Sequence, residues 1–131
     1  LQAMNTGHDG SFCTVHANTA RDALTRIENM VMMGQSTLPS RAIRTQIAAA
    51  VDLIVQIERM RDGGRRVSQV AEICGLEGDV IITQELFKFE YLDESEDGKI
   101  IGEFRSSGLR PYTLEKARQF GFDQAYLEAC L

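Results

Sequence analysis

The stretch LIVQIERMRDGGRRVSQVAEI (residues 53–73) decides the fold, because its pattern predicts two β-strands joined by a tight turn. Residues 53–57 are a run of β-favouring residues, and Arg-Asp-Gly-Gly at 61–64 is a hairpin-turn sequence. After the turn, alternate positions place one set of side chains on one face of a second strand: Val67, Gln69, Ala71 and Ile73. The stretch therefore predicts a β-hairpin.

Two amphipathic helices are predicted before this hairpin. The first runs from Thr19 to Met33, with apolar residues at three-and-four spacing. Thr19 and Asp22 have the spacing of a capping box, and Gly34 follows where a left-handed residue commonly ends a helix. The second helix begins at Pro39, a residue suited to a first turn, and ends at about Val51.

The sequence after residue 73 predicts a turn, a strand and a short helical piece. Gly75 and Gly78 punctuate the turn, Val80 to Ile82 form the strand, and Thr83 to Phe87 form a short helical turn or an irregular piece. The composition shifts near residue 83 towards polar residues, so we place a domain boundary there.

The remainder of the chain predicts a second hairpin and a helical tail. Lys88 to Leu92 and Ile100 to Arg105 flank an acidic loop that ends in Asp97-Gly98, a strong hairpin signal. Thr113 to Phe120 and Asp123 to Ala129 predict two short helices, each beginning at a residue able to cap its first turn.

Composition sets limits on partners and compartment. The chain has 131 residues and a net charge of -5, which disfavours nucleic acid as the main partner. Cys13, Cys74 and Cys130 are odd in number and far apart, which argues against a disulfide framework and favours a cytoplasmic location. No stretch has the roughly 18 apolar residues of a membrane span. The chain begins at Leu1 within an apolar-periodic stretch, so we expect it to be a fragment of a longer protein.

Both histidines lie in the polar segment TGHDGSFCTVHAN (residues 6–18), which is rich in groups that can contact a phosphate. Gly7 to Gly10 predicts a turn and Ser11 to His16 a strand, which would place His16 at a strand end, where α/β proteins bind ligands. In a strand, Cys13 and His16 would face opposite sides, so we predict neither a metal site nor a Cys-His nucleophile. From chemistry alone, a structural role and a functional role for the two histidines are equally open.

The sequence lacks the common nucleotide-binding loops. No GxxxxGK followed by Ser or Thr is present, and Gly98-Lys99 is followed by Ile100. A GxGxxG signature and a GxSxG nucleophile elbow are also absent.

The quoted segments resemble a known family when they are taken together. The stretch LQAMNTGHDGSFCTVHANTARDAL (residues 1–24) resembles the region after the Walker B strand of type II/IV secretion ATPases, above all the CpaF/TadA type of Flp, or tight-adherence, pili. The likeness continues through residues 38–67 and 72–90 to GEFRSSGLRP at residues 102–111.

The resemblance implies site residues. It implies a His box that contacts the nucleotide γ-phosphate, matched here by Gly7, His8, Gly10, Ser11, Thr14, His16 and Asn18. We expect His16 first and His8 second to be catalytic, and Thr14, Asn18 and Arg21 to bind nucleotide. Arg21, Arg41 and Arg44 could contact phosphate or a neighbouring subunit, although solvated helix arginines are the commoner case.

The resemblance also implies a fold and partners. We expect an α/β protein in which residues 1–82 are the C-terminal part of a RecA-like P-loop ATPase core, with Walker A and Walker B upstream of Leu1. Residues 83–131 would add a β-hairpin and a short helical tail. The intact protein would use ATP and Mg²⁺, with none expected bound to the fragment, and would form a homo-hexamer at inner-membrane pilus or secretion platform proteins. It would be peripheral to that membrane, without nucleic acid or a membrane span of its own.

A rival interpretation is a non-catalytic partner-docking or oligomerisation module of a secretion complex, in which the histidines are structural. In either case the fragment itself is expected to be inactive, because the phosphate-binding loop is absent.

Overall fold

In a computed structural model of the chain, residues 10–34 and 37–131 are described. This part of the chain contains two helices, then four strands, then two short helices. They are α1 (Ala20–Gly34), α2 (Ser40–Ala50), β1 (Leu53–Arg59), β2 (Arg65–Glu77), β3 (Val80–Glu94), β4 (Ile100–Ser106), α3 (Leu114–Gln119) and α4 (Asp123–Cys130). The predicted α/β class is confirmed.

The four strands form one sheet in the order β1-β2-β3-β4. At the first hairpin turn, the Gly63 amide donates to the Met60 carbonyl over 2.9 Å. Gly63 has φ +84°, a conformation that costs glycine little. The first predicted hairpin is therefore confirmed.

The second predicted hairpin is formed by β3 and β4, which pair antiparallel. Phe87 lies opposite Ser106, and Tyr91 lies opposite Gly102. The register then shifts, because Asp93 rather than Leu92 lies opposite Ile101. This β-bulge increases the local twist close to the acidic loop.

The chain divides into two units. The first contains the described residues up to Ile54 together with Ile73–Thr83, and the second contains Val55–Glu72 and Gln84–Leu131. The domain boundary at residue 83 stays a prediction, and β3 passes through this position without a break.

The first unit has a core of branched aliphatic side chains from α1, α2, β2 and β3. Leu24, Ile43, Ile47, Ile73 and Ile81 are buried and packed together. Ile43 and Ile47 are fully buried and four residues apart, so they lie on one face of α2. Both predicted helices are confirmed, although Gly34 is the last residue of α1 and not a left-handed residue that follows it.

Two predictions after residue 73 were wrong. Thr83 to Phe87 continues β3 instead of forming a helical turn or an irregular piece, and Leu86 is buried at 1% exposure in this strand. Gly75 does not end β2, since the turn is made by Gly78 and Asp79. The sequence signals for turns are local, and the pairing of two long strands overrides them.

The predicted strand from Ser11 to His16 was also wrong. Residues 11–17 have no regular secondary structure. The argument that Cys13 and His16 face opposite sides of a strand therefore loses its basis. The predicted turn at Gly7 to Gly10 lies outside the described residues except for Gly10.

The two tail helices are confirmed. They begin at Leu114 and Asp123, but the predicted caps were wrong, because neither the Thr113 nor the Phe122 side chain makes a capping hydrogen bond. In the described ranges no helix is long and apolar enough to cross a membrane.

Candidate functional site

The segment from Gly10 to Thr19 carries most of the groups predicted to contact phosphate, and it leads directly into α1. Thr14, His16 and Asn18 are all exposed. An exposed imidazole can donate to or accept from a ligand, and a threonine hydroxyl can do both. The second predicted histidine, His8, lies outside the described residues.

The end of this segment is fixed by hydrogen bonds to the first turn of α1. The Asp22 amide donates to the Thr19 hydroxyl over 3.0 Å, and the Asn18 amide donates to the Asp22 carboxylate over 3.2 Å. The Asp22 amide is one of the backbone N–H groups that a helix start leaves without a partner. The predicted cap by Thr19 is confirmed, whereas the Asp22 carboxylate accepts from the amide of Asn18 and not, as a capping box requires, from that of Thr19. The two bonds determine how the chain leaves the helix towards His16.

Arg21 lies in the same turn and reaches β3. One guanidinium nitrogen donates to the Ile81 carbonyl over 2.7 Å, and the other lies 3.4 Å from the Thr83 hydroxyl. The predicted nucleotide role of Arg21 is untested, but its side chain has partners within the protein. The local sequence contains no signal for this contact, because sixty residues separate Arg21 from Ile81.

Arg41 and Arg44 of α2 also have partners within the protein. The Arg44 Nε lies 3.1 and 3.2 Å from the two carboxylate oxygens of Glu28, and another of its nitrogens donates to the Asp79 carbonyl over 2.8 Å. Arg41 pairs with the Asp79 carboxylate at 3.3 Å, and both side chains are largely exposed. The Arg44 contacts join α1, α2 and the β2–β3 turn, whereas the exposed Arg41 pair contributes little to stability.

Sequence reasoning missed Glu72, a fully buried acid in the second unit. Its carboxylate accepts from the Tyr112 amide over 2.7 Å, from the Thr113 amide over 3.2 Å and from the Gln84 side chain over 2.8 Å. The Thr113 hydroxyl also donates to it over 3.1 Å. A buried carboxylate with several donors holds the start of α3 in place. The sequence signal for a buried Glu72 was its place between the apolar residues Ala71 and Ile73 in a predicted strand.

Other features of the second unit offer less. A cavity of about 250 Å³ opens near Arg105, whose charge is paired with Glu90 at 2.9 Å. Burial raises the pKa of the Cys130 thiol, and the charge of Glu72 raises it further, so Cys130 is a poor nucleophile. Across residues 10–34 and 37–131, no group of three or more His, Cys, Asp and Glu side chains could hold a metal ion.

Comparisons with known proteins give a consistent result. A family described as type II/IV secretion system protein matches residues 1–85. A putative conjugal transfer protein of Mycobacterium tuberculosis is 39% identical over 80 residues, which are 61% of this chain and 22% of that protein. Conjugal transfer protein TrbB of Rhizobium radiobacter is 40% identical over 90 residues, which are 69% of this chain and 26% of that protein. Type IV secretion system protein PtlH of Bordetella pertussis is 35% identical over 68 residues, which are 50% of this chain and 20% of that protein.

The chain thus spans about a quarter or less of the length of these relatives. The family match includes the segment 10–19, α1, α2 and the first hairpin, and it ends within β3. The broad resemblance drawn from the sequence is therefore confirmed. With 85 of 131 residues matched, the chain belongs to the type II/IV secretion system protein family.

Proposed function

We propose that this chain is part of a hexameric ATPase of the CpaF/TadA type, whose ATP hydrolysis drives Flp pilus assembly or protein secretion. One observation carries the proposal. The polar segment with Thr14, His16 and Asn18 is exposed and is fixed to the start of α1, in a chain that belongs to a secretion family. The relatives named for conjugal transfer and type IV secretion support a role in transport between compartments or cells.

In this proposal His16 acts on the nucleotide. Its imidazole donates a hydrogen bond to an oxygen of the γ-phosphate, and loss of that phosphate on hydrolysis removes the bond. Such a change can trigger a rigid-body movement between two arrangements. His8, Thr14 and Asn18 supply further donors, and the intact protein uses Mg²⁺ to neutralise phosphate charge.

The proposal extends to location and partners. The intact protein is cytoplasmic, is peripheral to the inner membrane and acts on pilus or secretion platform proteins as a homo-hexamer. Nucleic acid is not its main ligand, which the net charge of -5 supports.

Steady-state ATP hydrolysis by the intact protein tests the role of His16. The His16→Ala variant is expected to lower kcat by about 100-fold, the effect of removing one donor to developing charge. Its melting temperature should stay close to that of the wild type, because substitutions of exposed residues away from structural features change stability little.

Asn29→Ala is the matched control, because Asn29 is an exposed polar residue on α1 that is assigned no contact with nucleotide. It should leave kcat unchanged. If His16→Ala hydrolyses ATP as fast as Asn29→Ala does, the phosphate role of His16 is wrong. An intact wild-type protein that neither binds nor hydrolyses ATP would contradict the ATPase proposal as a whole.

A partner-docking role for the tail is a second candidate, and it has its own observation. Tyr112, Phe120 and Phe122 are 67%, 59% and 66% exposed. Aromatic side chains are enriched at protein interfaces. Replacing Phe120 and Phe122 by serine should then weaken binding to a platform protein without changing ATP turnover. Unchanged binding in a pull-down with that platform protein would exclude this role.

A further inference from the structure

Arg21 links the first turn of α1 to strand β3. Its backbone lies in the first turn of α1, which also contains the capping residue pair Thr19 and Asp22. Its guanidinium reaches the Ile81 carbonyl at 2.7 Å, within the range of strong charge-assisted hydrogen bonds. The contact with the Thr83 hydroxyl is longer, at 3.4 Å, and therefore weaker.

This contact bears on His16 through a short chain of bonds. The Asn18 amide is bound to the Asp22 carboxylate, so Asn18 moves with the first turn of α1. His16 is two residues before Asn18, and two residues span at most about 7 Å. A displacement of the first turn relative to β3 would therefore move the His16 side chain.

Two other contacts of α1 do not replace this one. Ala20, Ala23 and Leu24 are buried and fix the apolar face of the helix. Apolar packing is non-directional, so it does not set the position of the first turn as a directed hydrogen bond does. The Arg44 contact with Glu28 holds the helix two turns further along. Arg21 supplies the polar contact from the first turn of α1 to β3.

We infer that Arg21 is a positioning residue, whose hydrogen bond to the Ile81 carbonyl sets the place of the His16 segment, and that it is not a ligand of the nucleotide. The inference rests on the proposed function of His16. The Arg21 guanidinium is directed at the Ile81 carbonyl of β3, and a phosphate would have to compete with that acceptor for the planar set of donors.

Kinetics of the intact protein separate a positioning residue from a ligand. For Arg21→Met, kcat should fall by about tenfold, because a misplacement of reacting groups near 1 Å can lower the rate by up to ~100-fold. KM should change by less than about twofold, because no contact with the nucleotide is lost. Arg21→Lys should recover at least half of the lost kcat, because an ammonium group can still donate to the Ile81 carbonyl. Arg26→Met, which removes an exposed arginine of the same helix, should behave as wild type.

Two kinetic results would overturn the inference. A raised KM with unchanged kcat would identify Arg21 as a nucleotide ligand. Equal kcat in Arg21→Met and Arg26→Met would show that the contact with β3 has no effect on the site.

Hydrogen exchange on the 131-residue chain tests the tether without ATP, which separates its failure from failure of the proposed function. In Arg21→Met the amides of Asn18 and Asp22 should exchange about tenfold faster, while those of Ile43 and Ile47 in α2 keep their rates. Unchanged exchange at Asn18 and Asp22 would contradict the tether. If the wild-type protein has no ATPase activity, the exchange result still decides whether Arg21 holds the segment.

Discussion

Two helix starts in this protein use an acidic side chain in different ways. At α1, the exposed Thr19 and the half-buried Asp22 bind backbone amides three and four residues away, through exposed hydrogen bonds. At α3, the fully buried Glu72 binds the amides of Tyr112 and Thr113, which are 40 and 41 residues away in the sequence. The first arrangement is encoded locally, whereas the second forms only when β2 and the tail have met. The comparison predicts that the buried, distant contacts stabilise the fold more than the exposed, local ones.

Replacement of Glu72 should give the largest effect. Glu72→Ala leaves the part-buried Tyr112 and Thr113 amides and the Gln84 side chain without their acceptor, and an unsatisfied buried group costs about 1–3 kcal/mol. We expect the free energy of unfolding to fall by about 3 kcal/mol or more. Urea unfolding followed by circular dichroism measures it.

Glu77→Ala is the control for Glu72, since Glu77 is an exposed acid at the end of the same strand. It should change the free energy of unfolding by less than about 0.5 kcal/mol. Equal effects of the two substitutions would break the comparison, because burial and donor number would then not matter.

Gly102→Ala should give the next largest effect. A Cβ at this position would lie 2.4 Å from Cζ of Phe89 and 2.5 Å from the carbonyl oxygen of Glu90. The Phe89 ring therefore occupies the space above Gly102, and an added methyl must displace ring and backbone. Overpacking of this kind costs about 1–3 kcal/mol, and thermal unfolding measures it.

Glu103→Ala, one residue along β4, is the matched control for Gly102→Ala. Glu103 is exposed and paired with Arg105 on the surface, so its loss should cost less than about 1 kcal/mol. A Gly102→Ala variant as stable as wild type would show that β3 and β4 can separate without cost.

Asp62 accepts a hydrogen bond from the distant Ile100 amide, and the strength of this contact depends on pH. The backbone amides of Ile100 and Gly64, together with Arg66, lower the pKa of Asp62 from 3.8 to about 2. Because the folded-state pKa lies below the unfolded value, the stabilisation is fully present above pH 4 and is lost as the pH falls from about 4 through 2. Unfolding midpoints measured between pH 2 and 5 should therefore fall more steeply for wild type than for Asp62→Asn.

The difference between the two pH curves isolates Asp62 from the other acids, which titrate in both proteins. Parallel curves would contradict the lowered pKa. They would also show that the contact between the first hairpin turn and Ile100 is not formed in solution.

The same comparison explains what could be predicted from the sequence. The helices, both hairpin turns and the cap at Thr19 depend on residues close in the chain, and all were predicted. The continuation of β3 through Thr83 to Phe87 depends on the position of this long strand in the sheet, between β2 and β4, and local turn propensity gave the wrong answer there.

In the candidate site, too, local features were predicted from the sequence and contacts between distant residues were not. The polar segment around His16 was identified from composition and resemblance, but it was expected to be a strand. Neither the Arg21 contact with Ile81 nor the donors of Glu72 follow from spacing, because these partners lie 12 to 60 residues away in the chain. Such contacts are set by the tertiary arrangement of the strands.

The local cap at Thr19 should give the smallest effect. Thr19→Ala removes the acceptor for the Asp22 amide, but this amide lies at an exposed position where water can replace the hydroxyl. The expected cost is about 1 kcal/mol in the free energy of unfolding, the usual value for a helix cap. Thr25→Ala, in the middle of the exposed face of α1, should change stability in the opposite direction by a few tenths of a kcal/mol, since alanine favours helix more than threonine. If Thr19→Ala is no less stable than Thr25→Ala, the cap does not hold the start of α1, and the place of the His16 segment then depends on the hydrogen bonds of Asn18 to Asp22 and of Arg21 to Ile81.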